Sequence, residues 1–152
     1  MPVYVPRERA TMWPIVARQH LSIRVDPATK QELEREARRR GTPTTTLAES
    51  LLREGIRVAS HPGITFRDGP AGRRAGVIGG PDVWEVIRVW LDNARRSEAT
   101  AEYLRLPLGL VEAALGYYGE YRPEIEDWIE RNDALAAEAE VFWRRRRALG
   151  TG

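Results

Sequence analysis

The chain has 152 residues, 42% of them apolar, with 24 basic and 22 acidic side chains, enough for one ordinary domain or two small ones with a real core. There is no cysteine, which excludes disulfides, thiol catalysis and cysteine zinc sites. The net charge of +2 hides a segregation: residues 1–60 carry eleven basic and seven acidic side chains, 61–96 six and four, 97–143 three and eleven, and Arg144 to Arg147 close the run. A basic front and an acidic rear direct any nucleic-acid contact to the front.

Residues 1–17 hold three prolines and no continuous apolar run, so they read as an extended arm and not as a secretion signal, either packing Trp13 on a dimer or left disordered. No apolar run approaches the roughly 20 residues of a membrane span, and a cytoplasmic protein is expected. Leu21-Ser22-Ile23-Arg24-Val25 alternates apolar and polar, which predicts a strand with Leu21, Ile23 and Val25 on one face. His20, Ser22 and Arg24 share the other face, and Arg18 continues the row. A strand this short leaves its backbone groups unpaired, so pairing with a second copy is expected. The two strands would form an antiparallel ribbon of the width that enters a DNA major groove.

Asp26-Pro27 then supplies a helix start, an acceptor at the cap followed by a proline preset for the first turn. Leu33 and Ala37 mark the inner face, and Gly41 closes the helix because glycine adopts the left-handed conformation without steric cost. Thr42-Pro43-Thr44-Thr45 reads as a turn in which a threonine caps the next helix. That helix carries an apolar stripe through Leu47, Ala48, Leu51, Leu52 and Ile56. Ala59-Ser60 reads as a short linker. Beyond it, His61 to Arg67 and Arg73 to Ile78 predict a hairpin around Asp68-Gly69-Pro70-Ala71-Gly72.

Pro81-Asp82 starts a helix with Val83, Val86, Ile87 and Trp90 on one face, and Ser97 to Leu104 predicts a short one. After the break at Leu106-Pro107, Val111, Ala114, Leu115 and Tyr118 repeat at helical spacing over about 108–121. Two short helices around a tight break, preceded by a hairpin, have the form of a winged helix-turn-helix. The last of them holds Glu112 and Glu120 but no lysine or arginine, so phosphates would repel it and an interaction or dimerisation role is expected. Arg73, Arg74, Arg95 and Arg96 keep a DNA role open, against the reading that they are solvated charges. From Pro123 the apolar positions Ile125, Trp128, Ile129, Ala136, Ala139 and Trp143 repeat at helical spacing, with a hinge expected at Asn132-Asp133. This amphipathic helix either enters a partner's groove or packs on its own domain.

Residues 18–56 resemble the ribbon-helix-helix family, the MetJ/Arc/CopG superfamily, in strand, cap, glycine and leucine positions over about forty residues. The resemblance implies a DNA-binding dimer in which His20, Ser22 and Arg24 contact base edges. It also implies that Thr44, Thr45 and Thr46 hold a phosphate at the second helix's N-terminus, with Arg18 adding a backbone contact. Histidine departs from the longer basic or amide side chain usual at the first reading position, so His20 stays open between base reader and strand-edge residue.

A second stretch is similar to the small domain found in VapB-like antitoxins. Its carrying residues are His61-Pro62-Gly63-Ile64, Pro81-Asp82-Val83-Trp84-Glu85-Val86 and Val111-Glu112-Ala113-Ala114-Leu115-Gly116-Tyr117-Tyr118. That likeness implies a PIN-like ribonuclease toxin as partner. Trp128, Ile129, Trp143, Arg144, Arg145, Arg146 and Arg147 are the expected toxin-binding residues, and one arginine would enter the toxin's carboxylate-rich metal site. The arginines equally suit the negative end of a helix dipole.

The expected architecture is mainly α with a short β-ribbon: an arm (1–17), a ribbon-helix-helix dimer unit (18–60), a helix-turn-helix-like domain with a hairpin (61–122), and a C-terminal helix with a basic tail (123–152). The expected assembly is a homodimer or a higher oligomer. No catalytic residue, metal site or cofactor is expected. His20 and His61 lack ligand spacing, and Gly76-Val77-Ile78-Gly79-Gly80 lacks the lysine and hydroxyl of a phosphate loop. The competing reading is a stand-alone regulator whose rear half is an assembly module.

Overall fold

Residues 19–149 are described by a computed structural model, and within them six helices and one two-stranded antiparallel sheet make a mainly helical protein. The N-terminal arm and Arg18 lie outside the described residues. Helix α1 (Pro27–Arg40) starts as its sequence dictates: the Asp26 carboxylate accepts from the Thr29 backbone N–H at 3.0 Å and from its hydroxyl at 2.6 Å. It ends on Gly41 at φ +61°, where the Gly41 and Thr42 N–H groups reach the Arg38 and Ala37 carbonyls.

Helix α2 (Thr44–Ser60) departs from expectation at both ends. Its cap is Pro43, whose extended backbone feeds the helix while its carbonyl accepts from the Leu47 N–H at 3.0 Å; no threonine side chain caps it. At the other end the helix runs straight through Ala59 and Ser60, so there is no linker there. The reason is tertiary. Arg57 donates to the Tyr117 hydroxyl at 2.8 Å and to Glu124 at 2.7 Å, and Glu54 accepts two bonds from Arg73 at 2.5 and 2.7 Å. These ties fasten the last turns of α2 to the elements that follow.

Strands β1 (Ile64–Arg67) and β2 (Arg74–Val77) pair with Ile64 opposite Val77 and Arg67 opposite Arg74. Gly80, in the turn after β2, is required by space: a Cβ there would meet Val77 at 2.6 Å and Leu106 at 2.9 Å. Helix α3 (Val83–Asp92) opens with a reciprocal cap, in which the Asp82 backbone N–H donates to Glu85 at 2.8 Å. The Asp82 carboxylate is nearly buried and accepts from Arg67 at 2.8 Å, from Arg74, and from the Trp84 indole at 3.3 Å. One aspartate thus joins the hairpin to α3.

Helices α4 (Ser97–Leu104) and α5 (Leu108–Glu120) follow, separated by Arg105 in a left-handed conformation at φ +54°. The core lies between the hairpin and α3, α4 and α5, and is built from Ile64, Val77, Val83, Val86, Ile87, Val111, Ala114, Tyr117 and, from the last helix, Ile125. That last helix, α6 (Arg122–Leu149), runs 28 residues without a break. The expected hinge at Asn132-Asp133 is absent because both residues are held as helix: the Asn132 amide donates to the Trp128 carbonyl at 2.8 Å, and Asp133 pairs with Arg88 of α3. From Ala134 to Ala148 every side chain is exposed, so the second half of α6 projects from the body. No helix among the described residues is long and apolar enough to cross a membrane.

Candidate nucleic-acid interface and projecting helix

Residues 19–26 form neither strand nor helix in the single chain, and all of them are exposed. His20, Ser22 and Arg24 therefore stand free to solvent, but so do Leu21, Ile23 and Val25, at 70, 56 and 49% exposure. The expected strand has no ladder in the single chain. Along α2, Leu51, Leu52 and Ile56 are exposed as well, whereas Leu47 and Ala37 are the only buried side chains from residue 19 to residue 60. Two buried side chains cannot offset the conformational entropy of some forty ordered residues. The front of the chain thus exposes Leu21, Ile23, Val25, Leu51, Leu52 and Ile56 together.

Thr44, Thr45 and Thr46 occupy the first turn of α2, with Thr44 half-buried and the other two exposed. The first-turn backbone N–H groups have no partner within a helix and carry the positive end of its dipole. Around α1, Arg35, Arg38 and Arg39 are exposed. Glu36 bonds Arg39 at 2.7 Å and Arg40 at 2.5 Å, and these hydrogen bonds and charges hold its carboxyl down to about 2 from an ordinary 4.5.

The rear half carries a network that the sequence does not announce. Arg57 lies over the Tyr121 ring at 4.0 Å while it bonds Tyr117 and Glu124, and Tyr117 in turn donates to Glu124 at 3.0 Å. Burial opposes the charge of Arg57, but the bond to Glu124 and the surrounding charges outweigh it, and its pKa rises. Burial first, and then the Glu124 charge, push the Tyr117 hydroxyl well above its ordinary range. His61 is buried edge-on against Tyr117 and Tyr121, with Nε2 3.2 Å from Glu120, which places it in the frame and not in a site. These ties pin the orientation of α2 relative to α5 and α6.

The expected partner-binding residues divide. Ile129 packs against the chain's own core, and half-buried Trp128 lines two clefts, one of about 400 Å³ beside Arg67, Arg74, Asp82 and Trp84. Trp143 and Arg144, Arg145, Arg146 and Arg147 stand on the projecting half of α6, all exposed. Arg144 pairs with Glu140 one turn back, and Arg146 lies over the Trp143 ring at 5.5 Å. Helix α5 exposes Glu112 and Glu120 and contains no basic residue. No family model, curated protein or solved structure matches the chain.

Proposed function

We propose that the protein is a dimeric DNA-binding antitoxin of ribbon-helix-helix type. Two copies of residues 21–25 pair as an antiparallel ribbon, which covers Leu21, Ile23, Val25, Leu51, Leu52 and Ile56 and turns His20, Ser22 and Arg24 toward base edges. The observation that carries this reading is the front of the chain: a helix pair with two buried side chains, preceded by an alternating and fully exposed segment. Thr44, Thr45, Thr46 and Arg18 hold phosphates on either side of the ribbon. The hairpin with α4 and α5 acts as a helix-turn-helix-like module for protein contact, consistent with its acidic α5.

In this reading the projecting half of α6 takes a PIN-like ribonuclease toxin. Trp143 anchors it, and an arginine from Arg144–Arg147 enters the toxin's acidic metal site. Trp128 and Ile129 then support the base of the helix from inside their own domain. The toxin assignment rests on the VapB-like resemblance and on the exposed basic end of α6. Truncation after Phe142 tests it: ribonuclease inhibition should disappear while operator binding persists, and intact inhibition would sink the assignment. The second reading, a stand-alone regulator whose rear half assembles copies, is favoured by the apolar stripe on α6 described next.

A further inference from the structure

Residues 134–149 form an unsupported helix of roughly 24 Å. A helix of this length is marginal in water without a packed face. Apart from Val141, its large apolar side chains nevertheless lie in a line. Steps of seven lead from Trp128 through Leu135 to Phe142 and from Ile129 through Ala136 to Trp143, with Ala139 between. The face that packs on the body in the first half of α6 therefore continues past the body's edge, where Leu135 is 58%, Phe142 60% and Trp143 54% exposed.

The charges bordering this stripe indicate what covers it. Glu140 pairs along its own helix with Arg144. Glu138 and Arg145 have no such option: three and four residues away on either side the sequence sets only apolar residues. Both charges flank the same edge of the stripe, seven residues apart, and neither meets an opposite charge one turn away on its own helix.

We infer that the projecting half of α6 pairs antiparallel with the same segment of a second copy, about a two-fold axis between Glu140 and Val141. In that register Glu138 of each copy meets Arg145 of the other, and each Phe142 and Trp143 sits opposite a small residue, Ala139 and Ala136. Small against large suits the aromatic layers, and Leu135 comes opposite Arg146, whose aliphatic stem can lie along it. The register uses the whole projecting span, because the tip of one helix reaches Asn132 at the base of the other. A parallel pair fails on both counts: it sets alanine against alanine and aromatic against aromatic, and it lays the two Arg144–Arg147 runs side by side. The pairing goes beyond the DNA-binding reading and does not depend on it. A toxin that seats on Trp143 would have to displace the second copy.

The cysteine-free chain permits a clean test. Single cysteines at Ala134, Val141 and Ala148, all on the outer side of the pair, are spin-labelled in the full-length protein, and label-to-label distances are measured. Antiparallel pairing gives a minimum at Val141 and longer distances at both ends, where the paired positions are displaced by about 20 Å along the axis. Glu138→Arg and Arg145→Glu should each abolish the minimum, and the double exchange should restore it. Equal distances at all three positions, no close approach of the labels, close approach only with an added ribonuclease, or a double exchange that does not restore the minimum would each overturn the inference. Operator binding by the same labelled samples reports on the ribbon alone, so the two readings fail separately.

Discussion

Ile23→Ala probes the second copy at the front of the chain with little risk to the fold of one copy, because 56% of Ile23 is already exposed. Complete burial of an isoleucine contributes about 1.5–3 kcal/mol. Somewhat more than half of that remains to be gained when another chain covers the residue, or about 1–1.5 kcal/mol per copy. A two-fold dimer loses it twice, so Ile23→Ala should weaken association by about 2–3 kcal/mol, roughly 30- to 150-fold in the dissociation constant. Sedimentation equilibrium over a concentration series measures this directly, with far-ultraviolet circular dichroism to verify that helix content is unchanged. The matched control is Ile78→Ala, on a residue 57% exposed in the turn after β2 and outside the ribbon surface, which should leave association unaltered. Association within two-fold of the parent in Ile23→Ala, or an equal loss in Ile78→Ala, would refute the reasoning.

The remaining predictions concern the frame and the pH response. Arg57→Met keeps the stem length but leaves Tyr117 and Glu124 without their charged donor, in a site where Arg57 is about a fifth and Glu124 about a third exposed. A loss of about 2–3 kcal/mol is expected in urea unfolding, and a change below 0.5 kcal/mol would mean that the network contributes little. Glu36 has a folded pKa of about 2, below its ordinary 4.5, so its contribution to stability is present above about 4.5 and is lost as pH falls toward 2. Nuclear magnetic resonance titration should place the Glu36 midpoint near 2, and Glu36→Gln should flatten the acid limb of the stability curve; a midpoint near 4.5 would contradict the Arg39 and Arg40 bridges. Added salt should raise that midpoint, since Glu36 and both arginines reach solvent.

Local chemistry made several elements readable from their residues. Asp26-Pro27 and Gly41 fix α1 at both ends, and the Asp82–Glu85 box starts α3, because each acts within one turn of its own position. Elsewhere the structure departs from the local pattern where distant contacts decide. A threonine was expected to cap α2, Ala59-Ser60 to link two units, and Asn132-Asp133 to bend α6, yet a proline, an arginine fastened some sixty residues away, and an ion pair to α3 decide those places. Such contacts leave no local periodicity, which is also why the Arg57–Tyr117–Glu124 network was not legible. The alternation at 21–25 is legible as a pattern, but the single chain gives it no ladder. On α6 the sequence marked the apolar stripe, and only the structure shows where the body stops supporting it.

The central claim is that the alternating segment before α1 reads DNA as a ribbon shared by two copies. Fluorescence anisotropy of the full-length protein on its own upstream DNA, across a salt series and beside Arg24→Ala, tests it most directly. Tight binding should weaken linearly in the logarithm of salt concentration as counterions are released. Arg24→Ala should lose about 1–3 kcal/mol of discrimination between that DNA and an unrelated duplex. No salt-dependent binding by the parent protein, or discrimination untouched in Arg24→Ala, would contradict the account.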